Sequence, residues 1–262
     1  MPVLVTGAET SEGHAATRHL LRAGGEVRAF VDYRDAAAAE ALRAAGCKVA
    51  RGALDDEGHL ETALEQVHTV FHLAGGPTSD PDTLLDDAAT VLSAAIGAGC
   101  RRVVWASHLG VSDPGPNAYL QACAEIEALL ADAPLETVVV RRSLTYGPGD
   151  PLTAALAAGA VPADAAEATH SPLYVDDLAL TVAEADAVRH GVGELFIVVT
   201  LTGPTEVLLG SFADLLTAPE RDGPPPTLSP AVADLLSRDL VARDGLVGPT
   251  DIGEGLERLA RE

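Results

Sequence analysis

Lysine is almost missing from this chain: Lys48 is the single one in 262 residues, against sixteen arginines. Chemistry that needs a lysine amine must use Lys48 or do without. Aromatic residues make up only 3% of the chain, so its core must be built mainly of Ala, Val and Leu. Positive charge as a whole is scarce, with 39 Asp and Glu facing 17 Lys and Arg for a formal net charge of −22. Such a field repels nucleic acid and anionic membrane, which leaves a small molecule as the expected partner. Three cysteines (Cys47, Cys100 and Cys123) form an odd count without metal-type spacing. A reduced, cytoplasmic setting without a bound metal is the simplest reading. No apolar run reaches the roughly 18 to 20 residues that would span a bilayer. The opening MPVLVTG enters a strand pattern directly, so no signal peptide is expected.

What is present points to a folded enzyme-sized unit. Hydrophobic residues are 47% and charged residues 21%, the proportions of a globular chain. Short apolar runs fall at residues 3–5, 27–31, 49–51, 70–73, 103–106 and 137–140. Ala- and Leu-rich stretches of helical spacing separate them, including 37–45, 84–98 and 119–130. Continuous apolar strands between helices predict an α/β fold, a doubly wound parallel sheet with helices on both faces. Residues 1–145 read as a Rossmann-like core. Residues 146–262 read as a mixed segment that completes the sheet and forms the substrate pocket, all in one compact unit. Helices are expected at 176–187, 231–242 and 251–261, a strand at 194–200, and a surface linker at 218–230. Asp176 and Asp177 read as helix caps.

VTGAETSEGHAATRHLL, residues 5–21, is a strand, a glycine-bearing turn and a helix start. Such a turn aims backbone N–H groups and a helix N-terminus at a phosphate. Further phrases follow in order: Arg51-Gly52-Ala53-Leu54-Asp55-Asp56, Phe71-His72-Leu73-Ala74-Gly75, Val103-Val104-Trp105-Ala106-Ser107, Tyr119, Tyr146-Gly147-Pro148 and Tyr174-Val175-Asp176-Asp177. On these residues the chain resembles the short-chain dehydrogenase/reductase superfamily, in its extended or atypical branch of NAD-dependent epimerase/dehydratase-like proteins. The resemblance implies a dinucleotide bound around Gly7, Thr10, Gly13, Asp32, Leu54, Ala74 and Gly75. It implies a catalytic corner at Ser107, the residue after it, and Tyr119, with Tyr146, His170 and Tyr174 on the substrate side. It also makes homodimerisation through the fourth and fifth helices a family habit.

The departures from that pattern shape the functional expectation. The middle glycine of the first turn is Thr10, whose Cβ would crowd the approach to a pyrophosphate. Glu9 and Glu12 put two carboxylates in the same turn. Ala53 stands where the family often has Asp. The Tyr-x-x-x-Lys pair reads Tyr119 to Cys123, with no lysine in reach, and the position after Ser107 is His108. A histidine titrating near neutrality could give or take a proton, and a tyrosine could donate to an oxyanion. These residues suggest an enzyme of small-molecule, biosynthetic metabolism acting on a largely apolar substrate. Its chemistry would be cyclisation, dehydration or isomerisation by His108 and Tyr119, with nicotinamide use lost or weakened to weakly bound NAD. Asp32 disfavours NADP, because an acid there repels a 2′-phosphate. The alternative is an ordinary NAD-dependent reductase, epimerase or dehydratase, and a third reading is a non-catalytic metabolite sensor or partner protein.

Overall fold

The computed structural model describes residues 2–216 and 224–261. Eight strands build its central sheet: β1 (Val3–Thr6), β2 (Val27–Asp32), β3 (Lys48–Gly52), β4 (Thr69–His72), β5 (Arg102–His108), β6 (Glu136–Arg142), β7 (Phe196–Thr202) and β8 (Leu246–Val247). Their order is β8-β7-β6-β5-β4-β1-β2-β3, and neighbouring strands run parallel. The order reverses at β1, between β2 and β4, which is the switch point where ligands bind in doubly wound sheets.

The helices are α1 (Ser11–Arg22), α2 (Ala36–Ala44), α3 (Glu57–Leu64), α4 (Pro81–Gly97), α5 (Ala118–Ala131), α6 (Pro151–Ala157), α7 (Val175–Glu184), α8 (Leu209–Leu215), α9 (Pro230–Leu236) and α10 (Ile252–Leu259). Side chains alternate across a strand, so each apolar run feeds two cores. Val3, Val5, Val104, Val138 and Val140 pack on one face with Ala15, Ala16, Leu178 and Val182. Leu4, Val103, Trp105 and Val139 pack on the other with Leu60, Val91, Leu120 and Ile126. Each fully buried Val or Leu contributes about 1.5 to 3 kcal/mol.

Part of the acidic excess is used locally. Asp35, Asp56, Asp80, Asp150 and Asp251 each accept the N–H three residues on and cap a helix. Asp176 and Asp177, expected as caps, do something else. Asp176 pairs with Arg18 at 2.6 Å. Asp177 accepts from the backbone and hydroxyl of Thr250, tying α7 to the segment before α10. The helix expected at 231–242 ends at Leu236. The chain there turns so that Leu240 N–H donates to Thr169 O and bridges to His170. The linker expected at 218–230 falls partly outside the described residues, and 224–229 lead into α9 without regular structure.

Among the described residues no helix is long and apolar enough to cross a membrane. Nor does any group of three or more His, Cys, Asp or Glu there have metal-holding geometry.

Candidate active site

Two hollows flank the tip of β1. One, of about 480 Å³, is lined by Gly7, Asp32, Gly52, Leu54, Ala74 and their neighbours. The other, of about 340 Å³, is lined by Thr10, Glu12, Gly75, His108, Arg142 and Leu152 among others. Glu9 borders both, so together they make a trough across the N-terminus of α1. The turn that creates the trough requires glycine. Gly7 has φ +67°, and a Cβ there would stand 2.5 Å from the Ala74 backbone; one on Gly13 would stand 2.0 Å from Gly7 O.

Thr10 is built into this turn. Its hydroxyl accepts the Gly13 N–H at 3.0 Å and donates to Gly7 O at 2.8 Å, so it caps α1 with a side-chain oxygen that glycine lacks. Asp32 ends β2 in the larger hollow, where Arg34 donates to both its oxygens. Those hydrogen bonds hold the Asp32 carboxyl down at about 2.

The smaller hollow is arranged by strand register. β5 and β6 pair Ser107 with Arg141 and His108 with Arg142, and the two-residue period sends the members of each dipeptide to opposite faces. Ser107 and Arg141 turn toward α5. The Ser107 hydroxyl donates to Glu127 at 2.6 Å, and the Arg141 guanidinium grips both Glu127 oxygens. His108 and Arg142 face the cavity. Arg142 is buried, with Nε on Glu12 at 2.7 Å and Nη1 on the Ser107 carbonyl at 3.0 Å. Its guanidinium also lies against the Tyr119 phenol.

Two expectations change on this geometry. The Glu12 carboxylate is compensated by Arg142 within the protein, so it does not add free negative charge to the first turn. His108 is not poised near neutrality. Burial first, and the neighbouring Arg142 charge second, push it down to about 3. Its Nδ1 lies 2.9 Å from Leu109 O, and a neutral ring donating there presents Nε2 as an acceptor.

Tyr119 meets His108 edge-on, with ring centroids 5.9 Å apart, so the structure brings these two together. Tyr119 is 2% exposed and lines a small void beside the main cavity, with Glu12, Gly75 and Gly76 bordering both. Burial raises its pKa strongly. Cys123 is buried against it, and desolvation pushes the thiol up to about 12.

The expected substrate-side residues fall elsewhere. Tyr146 and Tyr174 pack edge to face with each other in the core, and Tyr146 also with Phe212. His170 is buried, with Nε2 at 2.9 Å from Leu236 O. None of the three is among the cavity-lining residues. Large amphipathic rings at strand ends fill space between α6, α8 and α10, a role that spacing alone does not separate from a pocket wall. The carbon-rich wall comes instead from Pro77, Leu144, Pro151 and Leu152. The residue that sequence reasoning missed is Arg142. Its signal was a tandem arginine at the end of a buried strand, where one of the two must find a buried partner.

The NAD(P)H-binding family matches residues 7–151 of this chain. A 3-diazoavenalumate denitrifying reductase from Streptomyces sp is 31% identical over 278 residues, covering 90% of this chain and 87% of that protein. Cinnamoyl-CoA reductase 1 from Oryza sativa subsp. japonica is 32% identical over 123 residues; that match covers 44% of this chain and only 36% of the relative. Among solved structures, the UDP-glucose 4-epimerase of Thermotoga maritima superposes with TM-score 0.76 at 18% identity, over 100% of this chain and 98% of that one. The triphenylmethane reductase of Citrobacter sp. does so with TM-score 0.76 at 18% identity, over 99% and 100%. At such identities the structural likeness establishes the fold. The chain belongs to the NAD(P)H-binding family, within the extended short-chain dehydrogenase/reductase fold.

Proposed function

We propose that this protein is a nicotinamide-dependent reductase of a small, largely apolar molecule bearing a carbonyl group. The observation that carries the reading is the trough across β1, which runs from Asp32 to the cavity at His108 and Arg142. The Streptomyces relative, matched nearly end to end, is named a reductase, which supports the same choice over epimerase or dehydratase.

The residues present fit a dinucleotide. Gly7 and Gly13 allow the close turn, α1 brings its N-terminus to the trough, and Gly52, Leu54 and Ala74 line the larger hollow. Asp32 would accept from a ribose hydroxyl, which favours NADH over NADPH. When bound, the reduced nicotinamide supplies the hydride. The protein's own part is to hold the substrate against Leu144 and Leu152 and to offer His108 Nε2 as a neutral acceptor. Calorimetric titration with NADH and NADPH tests the reading, with micromolar binding of NADH expected. No heat from either dinucleotide at millimolar concentration would overturn it.

A second reading keeps the chemistry non-redox, as cyclisation, dehydration or isomerisation. Its motivating observation is Cys123, which leaves Tyr119 without a lysine one helical turn away. It asks for a proton donor, and a buried histidine pushed down to about 3 is not one at neutral pH.

A further inference from the structure

We propose that Arg142 is the catalytic electrophile of this site: its guanidinium meets the substrate's carbonyl oxygen and stabilises the negative charge that reduction places there. The inference rests on the reductase reading above and assigns the group that completes it.

Three observations lead to Arg142. First, its burial is expensive and the fold does not require it. A guanidinium 3% exposed costs several kcal/mol in desolvation, and well-packed apolar residues of similar size often replace such a buried pair at no loss of stability. The neighbouring Arg141 has a structural duty on Glu127; Arg142 faces the cavity instead. Second, the side chain is held rigidly. Glu12 takes Nε and the Ser107 carbonyl takes Nη1. The third nitrogen, Nη2, ends beside Gly76, 3.9 Å from where a Cβ would sit, and Gly76 lines the same cavity. A preoriented donor in a low-dielectric pocket is what stabilises a developing oxyanion. Third, the tyrosine that the resemblance would assign this task does not line the main cavity. Tyr119 borders a small void that shares Glu12, Gly75 and Gly76 with that cavity, and its phenol lies against the Arg142 guanidinium.

The step balances without further partners. A bound reduced nicotinamide would supply the hydride to the carbonyl carbon and be oxidised in doing so. The C=O electron pair moves onto oxygen, where Arg142 holds it. The alkoxide then takes a proton from water in the open cavity, the hydroxide left behind passes to solvent, and the product is an alcohol. Glu12 is a positioning residue that keeps the guanidinium in place, and Tyr119 remains a neutral phenol throughout.

The test follows NADH oxidation by absorbance, with phenanthrenequinone and 4-nitrobenzaldehyde as probes. It compares the wild type, Tyr119→Phe, Arg142→Lys and the double variant Glu12→Gln/Arg142→Gln, whose neutral pair leaves no charge uncompensated. The double variant should bind NADH as the wild type does and lose about 100-fold in kcat, the usual cost of one oxyanion donor. Arg142→Lys, which keeps a cation for Glu12 should the neutral pair fail to fold, should lose about tenfold in kcat. Tyr119→Phe should keep at least a third of the wild-type kcat. A double variant or Arg142→Lys within threefold of wild type overturns the inference, as does a Tyr119→Phe loss equal to that of the Arg142 variants. NADH binding without turnover of either probe overturns it too and leaves the cofactor reading standing. Absence of dinucleotide binding removes both.

Discussion

The two hollows on either side of β1 differ in how they hold charge. On the Asp32 side the ion pair with Arg34 stands open to solvent, and the glycine-lined floor is generic to the fold. On the His108 side the Glu12–Arg142 pair is buried, and it touches residues from the first turn, from β6 and from α5. The contrast shows that the outer hollow can change by single substitutions, whereas the inner one changes only in concert. Glu12 without Arg142, or Arg142 without Glu12, would bury a lone charge.

The largest expected effect breaks the inner pair. Arg142→Met leaves Glu12 uncompensated and should cost about 3 to 5 kcal/mol, measured as a fall in urea midpoint. A loss under 1 kcal/mol would mean that the pair is solvated and the contrast between the hollows is false. Next, Gly7→Ala strikes the turn from β1 that lines the larger hollow. It combines a φ of +67° with a Cβ 2.5 Å from backbone, so a loss of about 2 to 3 kcal/mol is expected, together with weaker NADH binding.

The histidines give the third effect. His108 and His72 titrate at about 3 and about 4 in the fold, below the unfolded value near 6.5. The unfolded chain therefore takes up protons that the fold excludes. Their stabilising contribution is complete above about pH 6.5 and declines as the pH falls toward 4. Each contributes about 1.4 kcal/mol per pH unit, and His108→Gln should remove one such share of the slope between pH 6 and 5. An unchanged slope would place His108 in water rather than behind Arg142. The outer hollow yields the smallest effect. Asp32→Ala should release Arg34 for a 2′-phosphate and shift preference toward NADPH by about tenfold, read by titration with both dinucleotides. No shift would show that Arg34 cannot reach that position.

Much of the fold was legible because a strand covered on both faces must be apolar throughout. The runs at 27–31 and 103–106 therefore announced β2 and β5 within a residue or two. The first turn was legible too, since close approach of backbone leaves only glycine at positions 7 and 13. The inner corner was legible only as a set of departures. Glu12 looked like an added repulsion and His108 like a neutral-pH proton carrier, because each was judged by its side chain alone. Their partner lies 130 residues away from Glu12 and on the neighbouring strand from His108, and no local pattern joins them. Tyr146 and Tyr174 show the converse: a ring suited to a pocket wall was taken up by the core.

By its periodicity and glycines alone, the chain determined a parallel sheet wound on both faces and a turn tight enough for a dinucleotide, because those are demands of local geometry and burial. The partner of Glu12 and the charge states of His108 and Tyr119 were decided only by the folded packing. The β5–β6 register sets Arg142 beside all three, and a buried charge acts strongly on whatever the fold places next to it.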